Sequence, residues 1–307
     1  MLMKPKKEFD MLILGGGPAG MTAAVFAARA NFRTAVIESN ICGGLVNSTH
    51  AVENFPSYES IHGMELMQRI AEQVQALGVT VEEVAEVTGL YLREDLKEIE
   101  TEECLYRSPV VILATGRRPV SLEIETGGWN QIHYCSVCDG SAYKDKRVLV
   151  VGGGNSGFDE AFYLLSLKVK EIRLIEKMDR FFATEAAQSK LLSHRNVTAT
   201  SSTEVVELVG DDRLRGVRLK NNSNGRMETV NVDGIFVFMG QIPNTTSFAD
   251  IIALDEQRYV LTDENMATNI DGVYAVGDVR QKQYRYITTA MADGTIAALS
   301  AERYIRK

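Results

Sequence analysis

Residues 9–20 read FDMLILGGGPAG, and this stretch decides the fold. Residues 9–14 have the pattern of a buried strand and break directly into three glycines. Pro18 falls where the first turn of a helix tolerates proline, and MTAAVFAARA continues with strong helix formers. A second apolar run, TAVIE, closes on Glu38. Strand, glycine turn, helix, strand and an acid about 20 residues on make up the dinucleotide-binding fingerprint. Gly15 makes the tight turn, Gly17 lets backbone approach a pyrophosphate, and Gly20 lets the helix meet the strand. The helix N-terminus, with Pro18 and Ala19 in its first turn, offers free N–H groups to phosphate. Glu38 would accept hydrogen bonds from a ribose.

The pattern returns at RVLVVGGGNSGFDEAFYLL, residues 147–165. Here Gly152, Gly154 and Gly157 form the turn, Asn155 and Ser156 open the helix, and EIRLIE ends in Glu176 with Lys177 after it. Two such units predict an α/β chain of two Rossmann-like, doubly wound, three-layer dinucleotide-binding domains. Two nucleotide sites in one chain usually hold a flavin and a nicotinamide, because hydride chemistry needs both partners positioned. A duplicated fold whose second site stays empty is the alternative. Gly116 with RRP, and GQIPNTTS at 240–247, read as linkers. The second domain, residues 118–245, is therefore expected inside the first, residues 1–117 and 246–307. The intervening segments 78–92 and 97–116 are strand-rich, 64–77 has helical apolar spacing, and the chain ends with a strand in GVYAVGD and a long helix.

Composition narrows the function classes. The chain has 307 residues with 45% hydrophobic and 24% charged content, ordinary for a globular protein. A net charge of −8 argues against a nucleic-acid partner, which wants a basic face. No apolar run approaches the roughly 18 residues of a membrane helix. The first residues, MLMKPKKEFD, lack the pattern of a secretory signal, so a cytoplasmic location is expected. Four cysteines do not make a disulfide scaffold.

Two of those cysteines lie in CSVCDG, residues 135–140. A zinc site needs a second Cys pair or Cys with His, and Cys42 and Cys104 form no second CxxC, so they read as small inert residues. A passive disulfide suits a cytosolic protein poorly. A redox pair fits best, since a helix starting at the first cysteine lowers its thiolate pKa. Such a thiolate attacks a partner disulfide and its neighbour resolves the mixed disulfide. His133 reads as an exposed loop histidine, with electrostatic tuning of Cys135 as the other reading.

At this point the residues carry a resemblance over essentially the whole chain. GGGPAG, CGG at 42–44, VENFP at 52–56, ILATG at 112–116, YCSVCDG at 134–140, VGGGNSG at 151–157, FMGQIPNT at 238–245 and TDENMATNIDGVYAVGDV at 262–279 are similar to the low-molecular-weight thioredoxin reductases. CxxC followed by Asp-Gly just ahead of the second glycine loop is the most specific of these. The resemblance implies a homodimer with FAD in the first domain, a nicotinamide in the second and a thioredoxin-like protein as acceptor. It also implies that the inserted domain rotates about the two linkers. By the same likeness Cys138 exchanges electrons with the flavin, Cys135 attacks the substrate and Asp139 is the acid, a helix-capping aspartate being the alternative. The flavin side of FAD is implied to meet Gly43, Gly44, Asn54, Thr115, Gly116, Gly277, Asp278 and Arg285. Tyr286 stands where the family has glutamine, either covering the flavin face or filling space, and Ala292 replaces a glycine.

The donor site departs most. NADPH-dependent members carry His-Arg-Arg-Asp after this strand and a further arginine; here the span is EKMDRFFA, with Glu176, Lys177 and Met178 for His-Arg-Arg, and Phe182 for the later arginine. A carboxylate at the strand end prefers a free ribose diol and repels a 2′-phosphate. Gly157, usually alanine in the NADPH enzymes, points the same way. NADH is therefore the expected donor, with NADPH disfavoured but left some positive charge by Lys177 and Arg180. The alternatives are a nicotinamide-independent oxidoreductase fed by a ferredoxin-type carrier or a second flavin, or a dithiol oxidase.

Overall fold

The computed structural model describes residues 4–93, 95–122, 124 and 129–307. The chain divides into two compact units, residues 1–118 with 243–307, and residues 119–242. The crossings lie at 118/119 and 242/243, where the expected bounds were 117/118 and 245/246. Each unit ties its own linker ends. In the first, Asn244 N–H donates to Gly116 O at 3.0 Å, Asn244 Nδ2 to Thr115 O at 2.9 Å, and Thr115 Oγ1 to Asn244 O at 2.7 Å. In the second, Val120 N–H donates to Gly240 O at 3.1 Å.

The first unit is built on a five-stranded parallel sheet in the order Val273–Ala275, Val110–Leu113, Met11–Leu14, Thr34–Ile37, Thr80–Glu82. Its inner strands are buried at every position, as expected for a parallel sheet covered on both faces. The helix Pro18–Arg29 follows the first glycine loop and crosses the terminal helix Ile287–Ile305. That crossing is close enough to need a glycine: a Cβ on Gly294 would lie 2.2 Å from Ala19 O. A smaller sheet, Lys6–Glu8, Leu105–Ser108, Lys97–Thr101 and Val87–Leu92, and the helix Gly63–Ala76 complete the unit.

The second unit repeats the plan. Its parallel sheet runs Ile132–His133, Gly234–Val237, Arg147–Val151, Glu171–Ile175, Val197–Thr200. Helices Asn155–Ser166 and Glu185–Leu192 pack with this sheet, and an antiparallel ribbon, Thr203–Gly210, Leu214–Asn221 and Met227–Asn231, is added. Register matters for the chemistry: His133 pairs with Phe236, the third residue of its neighbouring strand. No described helix is long and apolar enough to cross a membrane.

Candidate active site

The two glycine loops are built alike. Gly15 and Gly152 both have positive φ, 111° and 120°, and a Cβ on either would run into the carbonyl of Ala114 or Phe238 at the end of the adjacent strand. On Gly20 or Gly157 a Cβ would meet the carbonyl of Gly15 or Gly152. Gly17 and Gly154, at the helix N-caps, have nothing within 4 Å of such a Cβ. Two glycines in each loop are thus required by the chain itself, while the third keeps open a face to which helix N–H groups point.

The strand-end acids are held in matching ways by backbone donors that motif reading passes over. Glu38 Oε2 accepts from Gly16 N–H at 2.7 Å and Oε1 from Asn40 N–H at 2.8 Å. Glu176 Oε2 accepts from Gly153 N–H at 2.7 Å and Oε1 from Met178 N–H at 2.9 Å. Each carboxylate is therefore fixed beside its glycine loop. The cations after Glu176 are engaged elsewhere: Lys177 Nζ lies 3.2 Å from Glu204 Oε2, and the Arg180 guanidinium stands over the Phe182 ring at 5.3 Å. Asn155 and Ser156 lie at the mouth of the second loop, and Asn155 Oδ1 accepts from Thr184 N–H at 3.0 Å.

The two cradles differ in the loop beyond the acid. In the first unit Gly43 N–H donates to Gly16 O at 2.9 Å, Gly43 and Gly44 both have positive φ, and a Cβ on Gly44 would sit 3.6 Å from Gly17 Cα. In the second, Phe182 N–H makes the equivalent bond to Gly153 O at 2.8 Å, so Phe182 and Ala183 stand where the first unit has two glycines. Gly277, with φ 74°, approaches Ala19, and its N–H donates to the buried Asp293 carboxylate at 3.1 Å. Asp293 also holds Arg280 at 3.2 Å and Lys282 at 3.0 Å. The Asp278 Oδ1 and Arg285 Nε atoms are buried without a hydrogen-bond partner, Lys282 Nζ lying 3.6 Å from the former. An open glycine cradle with a fixed acid and these orphaned polar atoms fits FAD, which supplies phosphates, hydroxyls and ring heteroatoms.

Other expected flavin contacts are less concentrated. Asn54 is exposed in a loop closed by the Val52–Ile61 bridge. Thr115 and Gly116 carry the linker ties described above. The Arg285 guanidinium stacks on Tyr259, 4.2 Å from the ring centre. Tyr286 caps the terminal helix, its N–H donating to Thr289 Oγ1 at 3.0 Å, with the side chain exposed. Cys42 and Cys104 are free thiols. Burial, then Glu83 and Glu38, push Cys42 up to about 12, so it is a neutral thiol at physiological pH. Cys104 is buried against Pro5 O.

Cys135 and Cys138 form a disulfide in the second unit. Cys135 is the N-cap of the short helix Ser136–Asp139, and its Sγ accepts from Cys138 N–H at 3.0 Å. The first sulfur thus lies at the helix N-terminus, where a thiolate is favoured. Ser136, between the two cysteines, is fully buried, and the short helix packs toward helix Asn155–Ser166. On that helix burial raises the Glu160 carboxyl above its ordinary value, and its Oε2 has no hydrogen-bond partner. Two readings of neighbouring residues need correction. Asp139 makes no capping hydrogen bond: it ends the helix Ser136–Asp139 and precedes the 3-10 turn Gly140–Tyr143, and its Oδ2 lies 3.2 Å from His133 Nδ1. His133 is no exposed loop residue: its side chain is 12% exposed, in the edge strand Ile132–His133. The parallel register with Phe236 turned a loop expectation into a packed position.

A capped, oxidisable cysteine pair joined in one chain to two dinucleotide cradles is the chemistry of a flavin-dependent disulfide oxidoreductase. The chain belongs to the pyridine nucleotide-disulphide oxidoreductase family, which matches residues 9–294. It is 39% identical over 307 residues to a 34.2 kDa protein in the rubredoxin operon of Clostridium pasteurianum, covering 99% of both chains. A thioredoxin reductase of Peptoclostridium acidaminophilum is 36% identical over 309 residues, with 97% of each chain covered. The crystal structure of Lactococcus lactis thioredoxin reductase matches with a TM-score of 0.89 and 36% identity, covering 97% of this chain and 99% of that one.

Proposed function

We propose that this chain is an FAD-dependent disulfide reductase that reduces a thioredoxin-like protein through Cys135 and Cys138, with NADH as the electron donor. The observation that carries the reading is the twofold placement of the strand-end acid: Glu176 makes in the second cradle the two backbone bonds that Glu38 makes in the first. A carboxylate so fixed accepts from two ribose hydroxyls and repels a 2′-phosphate, and Lys177 and Arg180 are occupied by Glu204 and Phe182. FAD, when bound, supplies the two-electron carrier between donor and disulfide. The chain's own residues do the rest. Gly15, Gly17, Gly20, Gly43 and Gly44 with Glu38 hold the adenosine and pyrophosphate end, Gly277, Asp278 and Arg285 the flavin end. Cys135, at the helix N-terminus, is the attacking thiolate; Cys138 closes the disulfide and expels the product thiolate, with Asp139 beside it as proton carrier.

Relatives at this identity and coverage named thioredoxin reductase support the acceptor class. The same likeness supports a homodimer and a cytoplasmic setting. The domain division supports the linkers as hinges. A second reading has its own observation: Phe182 and Ala183 replace the two glycines that open the first cradle, which suits a site without a productive nicotinamide. Electrons would then come from a low-potential ferredoxin-type carrier, in keeping with the rubredoxin operon named for the Clostridium pasteurianum relative. Anaerobic bleaching of the flavin by NADH, NADPH and reduced ferredoxin, each alone, decides between them. NADH is expected to bleach it; reduction by ferredoxin alone would establish the second reading, and reduction by NADPH alone would overturn both.

A further inference from the structure

The side chains around Asp139 form a chain of three. Asp139 Oδ2 lies 3.2 Å from His133 Nδ1, and His133 Nε2 lies 2.7 Å from the Tyr143 hydroxyl. Both imidazole nitrogens are therefore engaged, one by a carboxylate and the other by a phenol. The ring is fixed as well: it packs on Phe236 at 5.1 Å and against the edge of Tyr143 at 5.2 Å, and Phe236 packs on Tyr143 at 5.3 Å. Tyr143 is buried, and burial, then Asp139 and Asp233, push its phenol up to about 12, so it keeps its proton throughout the working range. The Nδ1 side of the ring is the side that faces Asp139. Among the described residues, the other ionisable groups around this cluster are Lys146, whose ammonium stands over the Tyr143 ring at 5.2 Å, Arg147, Arg213 and Arg215, which line a cavity with Tyr143, Asp233, and Glu160 across from Ser136.

A carboxylate alone is a weak base for a thiol proton, whereas an imidazole titrates close to neutrality. We propose that His133 is a positioning and proton-holding residue for the resolving step of disulfide exchange, acting through Asp139. This rests on the assignment of Cys135 and Cys138 as the exchanging pair. When Cys135 is bonded to one sulfur of the substrate, the Cys138 thiol gives its proton by way of the Asp139 carboxylate to His133 Nδ1, leaving the carboxylate beside an imidazolium that holds the proton. The Cys138 sulfur attacks Cys135 Sγ, the Cys135–substrate S–S bond breaks, and the substrate sulfur leaves with the electron pair and takes the proton. The dithiol is oxidised by two electrons, the substrate disulfide is reduced by two, and no external oxidant is needed.

The test uses Cys42→Ala holoenzyme, which lacks the partly exposed free thiol, its cysteine pair reduced with dithiothreitol and desalted, mixed with the aryl disulfide 5,5′-dithiobis(2-nitrobenzoate) in a stopped-flow cell. Attack by Cys135 releases one aryl thiolate and resolution by Cys138 releases a second. Cys138→Ser is expected to stop after one equivalent; two equivalents from this variant would overturn the pair assignment itself. Given one equivalent there, His133→Gln is expected to keep the first release and slow the second about tenfold near neutral pH. Near pH 9, where the thiol ionises without help, the second release should return to within about twofold of the Cys42→Ala parent. A structural role would slow the step at every pH. An unchanged second release across the range, or a slowing that does not recover in alkali, would overturn the proposal while leaving the pair assignment intact. Should His133→Gln lose the first release through misfolding, Asp139→Asn keeps a side chain that can still meet His133, and the same alkaline recovery is required of it.

Discussion

Glu176→Gln is the substitution that separates the donors. The native carboxylate accepts from Gly153 N–H at 2.7 Å and from Met178 N–H at 2.9 Å. Glutamine brings one oxygen and one NH2, so one of those amides loses its acceptor and faces a donor. A hydrogen bond to a charged acceptor is worth about 1.5–3 kcal/mol. Glu176 is only half-buried, and solvent screening favours the lower figure for the loop itself. Toward the donor, neutralising the group that accepts from the ribose diol removes a comparable amount, so the NADH concentration giving half-maximal bleaching should rise about 10- to 100-fold. For NADPH the sign reverses. Two unit charges 4 Å apart repel by about 4 kcal/mol at an effective dielectric of 20, before salt screening. Relieving it should improve NADPH at least about tenfold, and the NADPH gain should shrink as salt is added. Anaerobic stopped-flow bleaching of enzyme-bound flavin by each dinucleotide, at low and high salt, reads both numbers. NADH bleaching in Glu176→Gln within twofold of the unsubstituted protein would refute the reasoning.

The glycines of the first cradle should part company. Gly20→Ala puts a Cβ 2.0 Å from Gly15 O, so its thermal midpoint should fall by several degrees with or without flavin. Gly17→Ala meets nothing within 4 Å and has an ordinary φ of −75°, so flavin-free stability should hold while flavin is lost more readily on gel filtration. Asp293→Ala leaves Arg280 and Lys282 without their buried carboxylate and should cost about 3–5 kcal/mol in urea unfolding, the range for breaking a buried pair. Cys42, Tyr143 and Tyr274 are each pushed up to about 12, chiefly by burial. Their folded values exceed the unfolded ones, so the neutral forms are present in both states below the unfolded values and the folded state falls behind as pH rises towards the folded ones. The urea midpoint should therefore fall between about pH 9 and pH 12. Cys42→Ala should make the first part of that fall shallower.

The fold was largely legible because its signals are local. A buried strand running into Gly15, Gly17 and Gly20 and ending the next strand at Glu38 needs only neighbouring residues, and the same holds for Gly152 to Glu176. The terminal helix carried its apolar spacing over its whole length, Ile287–Ile305. The hidden part depends on partners far along the chain. His133 becomes mostly buried because its strand pairs with Phe236, about a hundred residues on. Asp293 holds Gly277 N–H, Arg280 and Lys282 because the last helix returns across the first glycine loop. The backbone donors at Gly16 and Gly153 carry no residue-type signature at all. Lys177 illustrates the converse: its charge was plain, but its pairing with Glu204 is set by a neighbouring strand.

The measurement that bears most directly on the central claim is donor-supported, thioredoxin-dependent reduction of insulin by the flavin-loaded protein and its Cys138→Ser variant at matched flavin content. Steady turnover is expected from the unsubstituted protein. Cys138→Ser should show no turnover, although the donor still bleaches its flavin, because the route from flavin to substrate runs through that sulfur. Wild-type turnover in Cys138→Ser would contradict the assignment. So would an unsubstituted protein that leaves insulin untouched and instead consumes oxygen with a small dithiol.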